Sequence, residues 1–237
     1  MIEKMNQALD FLRGKYGVPA GEIVRGADYH QLRLPDGKTV NLLPWRVERR
    51  FVELKKIIDG KTLEDVSTFR FASFAADGDL RKILAKELDL AAWLSGSAVC
   101  RLYAVASAGK ACNVIFRLAN GMSGCVECSS ALPSGAKPMD KHEIIARRGV
   151  ACDRVVDSQI PQESIYVWSK NGHSAFTDVD TELFGLPDEA IWTVRAAFAV
   201  LAHPELAAEW NAASELSLRQ SDAAFRSAET SQPMEKF

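Results

Sequence analysis

The chain has 237 residues, which is enough for one large domain or two small ones with a substantial core. Its formal net charge is -2 at pH 7 and its pI is near 6.1, so no concentrated basic field favours nucleic acid or an anionic membrane as a partner. No apolar run is long enough to span a bilayer, and the charged N-terminus lacks the apolar centre of a secretory signal. These features predict a cytoplasmic protein with small-molecule or protein partners.

The N-terminal part of the chain predicts a helix, a hairpin and a second helix. Apolar residues recur at three- and four-residue steps over residues 2–15, which is the stripe of an amphipathic helix. Asp36-Gly37 stands between two alternating runs and indicates a hairpin turn. Helical spacing returns over residues 47–58. We expect residues 1–44 to form a helix and hairpin extension and residues 45–237 to form the main domain.

The main domain is rich in predicted strands. The first, residues 66–74, precedes a helix at residues 80–94 whose predicted inward residues are Leu80, Ile83, Leu84, Leu88, Ala91, Ala92 and Trp93. Further strands are predicted at residues 99–107, 111–119, 124–132, 142–149, 151–157, 164–169 and 174–180, followed by helices at 187–203 and 207–229. Because the strands follow one another through hairpin turns, the pattern predicts an α+β fold with an open, mostly antiparallel sheet and helices on one face.

Cofactor and metal motifs are sparse in this sequence. It contains no Gly-x-Gly-x-x-Gly motif and no phosphate-binding loop. Cys125 and Cys128 have the spacing of a redox or zinc motif, but residues three apart in a strand point to opposite faces, which favours reduced structural thiols. We therefore predict no cofactor-binding residue and no metal ligand on this chain.

Two groups of charged residues are candidates for substrate binding. His142, with Asp140 and Glu143 beside it, is the best polar cluster among the four histidines, although a surface or hydrogen-bonding role is the commoner explanation of such a histidine. Arg49 and Arg50 can hold an anion through bidentate guanidinium contacts, and solvated charge is the commoner explanation there too.

A third group is a candidate for catalysis. Lys82 and Lys86 stand four residues apart on one face of the predicted helix, and Asp89 follows one turn later. In a closed pocket, repulsion between the two ammonium groups would lower a lysine pKa and suit it to acid–base chemistry. If they face solvent, the same residues form only a soluble edge of the helix.

Three consecutive segments carry a recognisable pattern. In residues 47–71 an arginine pair and a Phe open a helix, and a Gly-containing turn leads to a strand. Residues 84–107 contain a helix with Asp89 that ends in Trp-Leu-x-Gly, and residues 112–133 form a hairpin around Asn-Gly. In this order they resemble the C-terminal domain of the glucose-fructose oxidoreductase, inositol dehydrogenase and rhizopine-catabolism family, written Gfo/Idh/MocA. The resemblance runs from about Trp45 to the C-terminus.

The resemblance implies the same α+β fold and a homo-oligomer formed through the exposed sheet face. Typical family members also carry an N-terminal dinucleotide-binding domain, and their signature helix contains His-x-x-Asp. Aligning that motif here keeps the acid as Asp89 and puts Lys86 at the histidine, while Lys82 stands where many members have an acidic residue. A lysine with an ordinary pKa of about 10.4 exchanges a proton near neutral pH far less readily than a histidine at about 6.5.

We therefore expect a stand-alone domain of this type that acts as an oligomeric binding or partner subunit. This chain would bind no cofactor itself, and NAD(P) would be present only if a separate chain supplied the dinucleotide-binding domain. The alternative is an active enzyme on a sugar-like substrate: a split NAD(P)-dependent oxidoreductase, or a cofactor-free lyase or isomerase that uses Lys86 as a base beside Asp89. A purely structural assembly protein is the third possibility. The Met1 start and the self-contained N-terminal helix and hairpin favour an intact chain.

Overall fold

The computed structural model describes residues 1–153, 164–177 and 185–237. The described helices are α1 (Ile2–Tyr16), α2 (Arg49–Asp59), α3 (Leu80–Ser95), α4 (Asp188–Ala202) and α5 (Leu206–Thr230), and a 3-10 turn covers Pro44–Arg46. The first strands are β1 (Glu22–Arg25), β2 (His30–Arg33), β3 (Thr39–Asn41), β4 (Val66–Phe74), β5 (Val99–Ser107) and β6 (Ala111–Leu118). The later strands are β7 (Ser123–Ser129), β8 (Met139–Ala146), β9 (Gly149–Cys152), β10 (Ser164–Ser169) and β11 (Gly172–Thr177). No helix among these ranges has both the length and the apolarity to cross a membrane.

Contacts divide the chain into two compact units. The first unit combines Met1–Phe51 with Asp178–Glu215, and the second combines Val52–Thr177 with Leu216–Phe237. The boundary predicted after residue 44 lies shortly before the chain leaves the first unit, and it stays a prediction. The end of the predicted strand 151–157 and that of the predicted strand 174–180 lie outside the described residues.

The first unit contains a three-stranded antiparallel sheet in the order β1-β2-β3. The predicted hairpin is present as β2 and β3, whereas β1 was not predicted, since its four residues are too few to show a period. Asn6 of α1 fixes β1, because its side-chain amide donates to the Ile23 carbonyl at 3.0 Å and its Oδ1 accepts the Ile23 N–H at 2.7 Å. Helix α1 ends at Gly17, whose φ of 69° is a left-handed conformation that favours glycine.

The second unit contains an eight-stranded sheet in the order β11-β10-β9-β8-β4-β7-β6-β5. Every neighbouring pair is antiparallel except β4 and β7, which run parallel. The sheet and helices confirm the predicted α+β class and the mostly antiparallel arrangement.

The two faces of this sheet differ sharply in exposure. One face packs against helix α3, and its fully buried side chains include Phe69, Val114, Val126 and Ile144. The C-terminal part of α5 is tied to the same unit, where the Ser227 hydroxyl accepts the Ala104 N–H at 3.1 Å. The opposite face exposes Tyr103, Val105, Ile115 and Trp168. Burying apolar side chains on one face only produces the alternation that the sequence shows.

Helix α3 is buried over a wider surface than predicted. The Asp79 carboxylate caps its N-terminus by accepting the Arg81 N–H at 3.0 Å, and Gly96 ends it in the left-handed conformation. Four predicted inward residues are buried: Leu80, Leu84, Leu88 and Ala91. The prediction was wrong for Ile83, Ala92 and Trp93, which are only half-buried, and the residues that are buried instead include Ala85, Glu87, Asp89, Leu90 and Leu94. The buried surface of the helix therefore extends beyond the predicted face and includes two carboxylates.

Candidate functional site

A group of buried charged side chains in the second unit lies where β8, β9 and α3 meet. Asp140 and His142 are two residues apart on β8 and therefore share a face, and His142 is fully buried on the side that carries Ile144. Because β8 and β9 pair through Glu143 and Cys152, Asp153 follows directly opposite His142. The backbone confirms this placement, since the Asp153 N–H donates to the His142 carbonyl at 3.2 Å.

His142 is held between two buried carboxylates. Its Nδ1 lies 2.5 Å from Oδ2 of Asp153, and its Nε2 lies 2.8 Å from Oε2 of Glu87. The other Asp153 oxygen accepts the backbone N–H of His142 at 2.6 Å. Since both ring nitrogens face carboxylate acceptors, both must carry protons, and the ring is an imidazolium that donates a hydrogen bond to each side.

The electrostatics of His142 follow from these contacts. Burial by itself lowers the pKa of the imidazole, because it penalises the charged form. The charges of Asp153 and Glu87 and their hydrogen bonds outweigh that penalty and raise the pKa of His142 to about 10. The histidine is therefore charged at neutral pH and is not a proton donor or acceptor poised near pH 7.

Lys86 and Asp140 extend this network toward the surface. The Lys86 ammonium lies 3.4 Å from Oδ2 of Asp140 and 3.5 Å from Oε1 of Glu87. The side chains of Lys86 and Asp140 are 24% and 23% exposed, whereas Glu87 and His142 are fully buried. We name Lys86, Glu87, Asp140, His142 and Asp153 together the buried charge cluster.

The structure brings together some of the residues that the sequence singled out. Lys86 and His142, predicted in separate groups, belong to one cluster through Glu87 and Asp140. Asp89 is buried on α3, and Lys82 is half-buried one turn before Lys86. The catalytic roles predicted for Lys82, Lys86 and Asp89 stay predictions.

Arg49 and Arg50 belong to the first unit. Arg49 is exposed, as expected for solvated charge. Arg50 is buried, pairs with Glu48, and places its guanidinium 4.4 Å from the centre of the Phe51 ring. That pairing favours a structural role for Arg50, and the predicted substrate-binding role of both arginines stays a prediction.

Sequence reasoning missed Glu87 and Asp153. A usable signal existed for Glu87, because it stands three residues after the inward Leu84 and one before the inward Leu88, and a charged residue at such a position requires a buried partner. No comparable signal existed for Asp153, whose position opposite His142 depends on the pairing of β8 with β9. The predicted separation of Cys125 and Cys128 is confirmed: Cys128 is buried and Cys125 is only half-buried.

One set of metal-type donors occurs within the described ranges. Donor atoms of Asp140, His142 and Asp153 all lie within 4.8 Å of one another. The set offers one imidazole nitrogen and two carboxylate oxygens, a combination found in transition-metal sites.

Comparison with known proteins gives a likeness of fold. No family model matches the sequence, and no curated protein matches it either. Among solved structures, the chain is similar to a levoglucosan dehydrogenase in complex with NADH and levoglucosan, with a TM-score of 0.65 and 16% identity over 81% of this chain and 65% of that one.

Two further solved structures illustrate the same likeness. An oxidoreductase domain protein from Kribbella flavida gives a TM-score of 0.63 at 15% identity, over 81% of this chain and 65% of that one. An aldose-aldose oxidoreductase from Caulobacter crescentus, complexed with glycerol, gives 0.61 at 13% identity, over 81% and 62%. The chain thus spans less than two thirds of the length of these structures, and identities this low establish the fold alone.

Proposed function

Because the chain has the fold of the C-terminal domain of Gfo/Idh/MocA-type oxidoreductases, as its sequence predicts, we propose that it acts as an oligomeric binding or partner subunit without dehydrogenase chemistry of its own. Any NAD(P) would be held by a separate dinucleotide-binding chain. A small sugar-like molecule is the ligand class that the fold favours, and the cytoplasm is the compartment that we propose.

The observation that carries this proposal is the environment of Lys86. The resemblance aligns this residue with the histidine of the family's signature helix, and two carboxylates lie within 3.5 Å of its ammonium. Opposite charges at this distance stabilise the protonated lysine, especially when one of them, Glu87, is fully buried. A base must give up that proton near neutral pH, so the surroundings of Lys86 disfavour its use as one.

His142 does not replace the missing base. Both of its ring nitrogens are engaged by carboxylates, and the ring is fully buried. A general base needs a free lone pair and must come within hydrogen-bond reach of the proton that it removes. A buried imidazolium whose two ring nitrogens both donate to carboxylates meets neither condition. These two residues together support a binding role over a catalytic one.

The open sheet face supports the oligomeric part of the proposal. Tyr103 and Ile115 are directly opposite each other on β5 and β6, and Ile115 is 61% exposed. Trp168 lies on the same face through the register of β10 with β9 and of β9 with β8. A monomer rarely leaves a series of large apolar side chains in water along one sheet face, so a second copy of the chain is the occupant that we propose.

The deciding experiment is calorimetric titration of NADH and NADPH into the purified chain, with its mass in solution measured on the same sample. At protein concentrations of roughly tens of micromolar we expect no binding heat for either nucleotide, and a mass of at least two chains of 26.1 kDa each. Micromolar nucleotide binding would contradict the proposal and favour an active NAD(P)-dependent oxidoreductase. A monomeric mass would contradict its oligomeric part alone.

A further inference from the structure

Three side chains of the buried charge cluster meet the requirements of a cation site. Asp140 and His142 project from one face of β8, and Asp153 reaches the same point from the end of β9. Their donor atoms lie within 4.8 Å of one another. Tetrahedral zinc holds its ligand atoms at about 2.0–2.2 Å and therefore roughly 3.4 Å from one another. To reach this arrangement the widest pair of donors must close, while His142 Nδ1 and Asp153 Oδ2, which are 2.5 Å apart, must separate by about 1 Å.

A second observation at the same place concerns Glu87. Its Oε2 faces His142, while its Oε1 is buried and accepts no hydrogen bond, the Lys86 ammonium at 3.5 Å being its charged neighbour. A buried carboxylate oxygen without a hydrogen bond costs free energy that a nearby cation would offset. Glu87 thus adds negative potential next to the three donors, from the helix side.

The charge of the cluster points in the same direction. Three ionised carboxylates and one ammonium among the described residues give a net charge of minus two before His142 is counted. An imidazolium reduces this to minus one. A divalent cation beside these carboxylates would add opposite charge to a group held mostly out of water, which is the condition under which buried charges are favourable.

We propose that Asp140, His142 and Asp153 bind one divalent transition cation, with zinc as the ion that best fits one imidazole and two carboxylates. Calcium and magnesium prefer all-oxygen ligands, and monovalent copper prefers thiolates, so neither class fits this donor set as well. The proposal differs from our prediction from the sequence, which assigns no metal ligand to this chain. It does not depend on the proposed partner-subunit function.

Binding requires a proton to leave. The imidazolium of His142 gives up one ring proton to solvent, and the freed nitrogen lone pair then bonds to the cation. Each of the two carboxylates contributes one oxygen, and no electron transfer takes place. Glu87 does not bind the cation in this arrangement and remains hydrogen-bonded to the ring.

The test uses the full chain, stripped with a chelator and then dialysed against zinc. We expect about one zinc per chain by elemental analysis, with a Kd in the micromolar range or tighter. Co²⁺ in place of zinc should give a visible d–d absorption band that reports the same ligands. Failure to retain more than a tenth of an ion per chain would overturn the proposal.

Two substitutions on the same strand decide where the metal is held. Asp140→Asn removes one donor from a partly exposed position, and we expect a Kd at least ten-fold weaker and loss of the cobalt band. Glu143→Gln is the matched control, because Glu143 faces the other side of β8 and pairs with Lys141 at 2.6 Å. Its Kd should stay within two-fold of the wild type. Equal zinc binding by Asp140→Asn and the wild type would refute the assignment.

The X-ray absorption spectrum of zinc in the wild-type chain removes any dependence on how well the variants fold. Nitrogen and oxygen neighbours at about 2.0–2.2 Å, with scattering from one imidazole ring, would support the proposed ligands. Sulfur neighbours at about 2.3 Å would overturn it, because the metal would then be bound by the cysteines.

Discussion

Replacing His142 with phenylalanine tests how the buried charge cluster contributes to stability. The two rings are of similar size, and Phe71 already packs against His142 with the ring centres 4.9 Å apart, so little packing should be lost. What disappears is the positive charge between Asp153 and Glu87, which are both buried. Removing one partner of a buried ion pair costs about 3–5 kcal/mol, because the remaining charge is left uncompensated.

Such a loss is large against the free energy of unfolding of a typical domain, about 5–15 kcal/mol. The measurement is equilibrium urea unfolding of the wild type and His142→Phe, both in EDTA so that no metal contributes. The matched control combines His142→Phe with Glu87→Leu and Asp153→Asn, which removes the stranded charges and keeps an acceptor for the His142 backbone N–H. We expect the triple variant to recover more than half of the loss.

If His142→Phe unfolds within about 1 kcal/mol of the wild type, the carboxylates find other compensation and the reasoning about the imidazolium is refuted. If the triple variant is no more stable than His142→Phe, the loss comes from packing and not from charge. The two measurements therefore separate the electrostatic explanation from the steric one.

The remaining predictions concern pH, assembly and thiol reactivity. For the metal-free protein, the pKa of His142 is about 10 in the folded state and about 6.5 in the unfolded state, so its contribution to the stability of the fold is complete below pH 6.5. Above pH 6.5 unfolding releases a proton, and the free energy of unfolding should fall by at most about 1.4 kcal/mol per pH unit toward pH 10. A urea midpoint that does not change over this pH range would contradict this. Ile115→Lys, on the open sheet face, should lower the mass in solution to that of a monomer without changing the far-UV spectrum, and an unchanged mass would exclude this face as the interface. A thiol reagent should label the exposed Cys100 in the native protein, but Cys112 and Cys128 only after unfolding, because both are buried. The hydrogen bond of Cys128 with Cys112 and its burial also raise the pKa of Cys128, which disfavours its reactive thiolate, and mass spectrometry of labelled peptides checks this order.

The strands of the second unit could be predicted closely from the sequence. The predicted strands 66–74, 99–107 and 164–169 have the same bounds as β4, β5 and β10. Alternation between buried and exposed side chains is a local property, so it can be recognised without knowing which strands are neighbours. Short β1 had too few residues to show that alternation.

The candidate site could be predicted only in part. The sequence singled out Lys86 and His142, because a lysine pair on a helix and a histidine between acids are visible locally. It could not relate them to each other, since the contact passes through Glu87 and Asp153, and the approach of these residues depends on how α3 packs and how β9 pairs. A site assembled from three elements becomes recognisable only when their packing is known.

The single parallel pairing of β4 with β7 has a consequence for the order in which the sheet can form. On one side of β4, the strands β5, β6 and β7 are joined by short turns, and on the other side β8 pairs with β9 through another tight turn. Each of these groups consists of contacts between residues close in sequence, which form quickly. Strand β4, by contrast, must find β7 and β8 across the whole of α3 and the intervening hairpins. We expect the two groups to form early and β4 to join them late, so that mutations in β5 or β6 would slow folding more than equally destabilising mutations in β4, which would mainly speed unfolding.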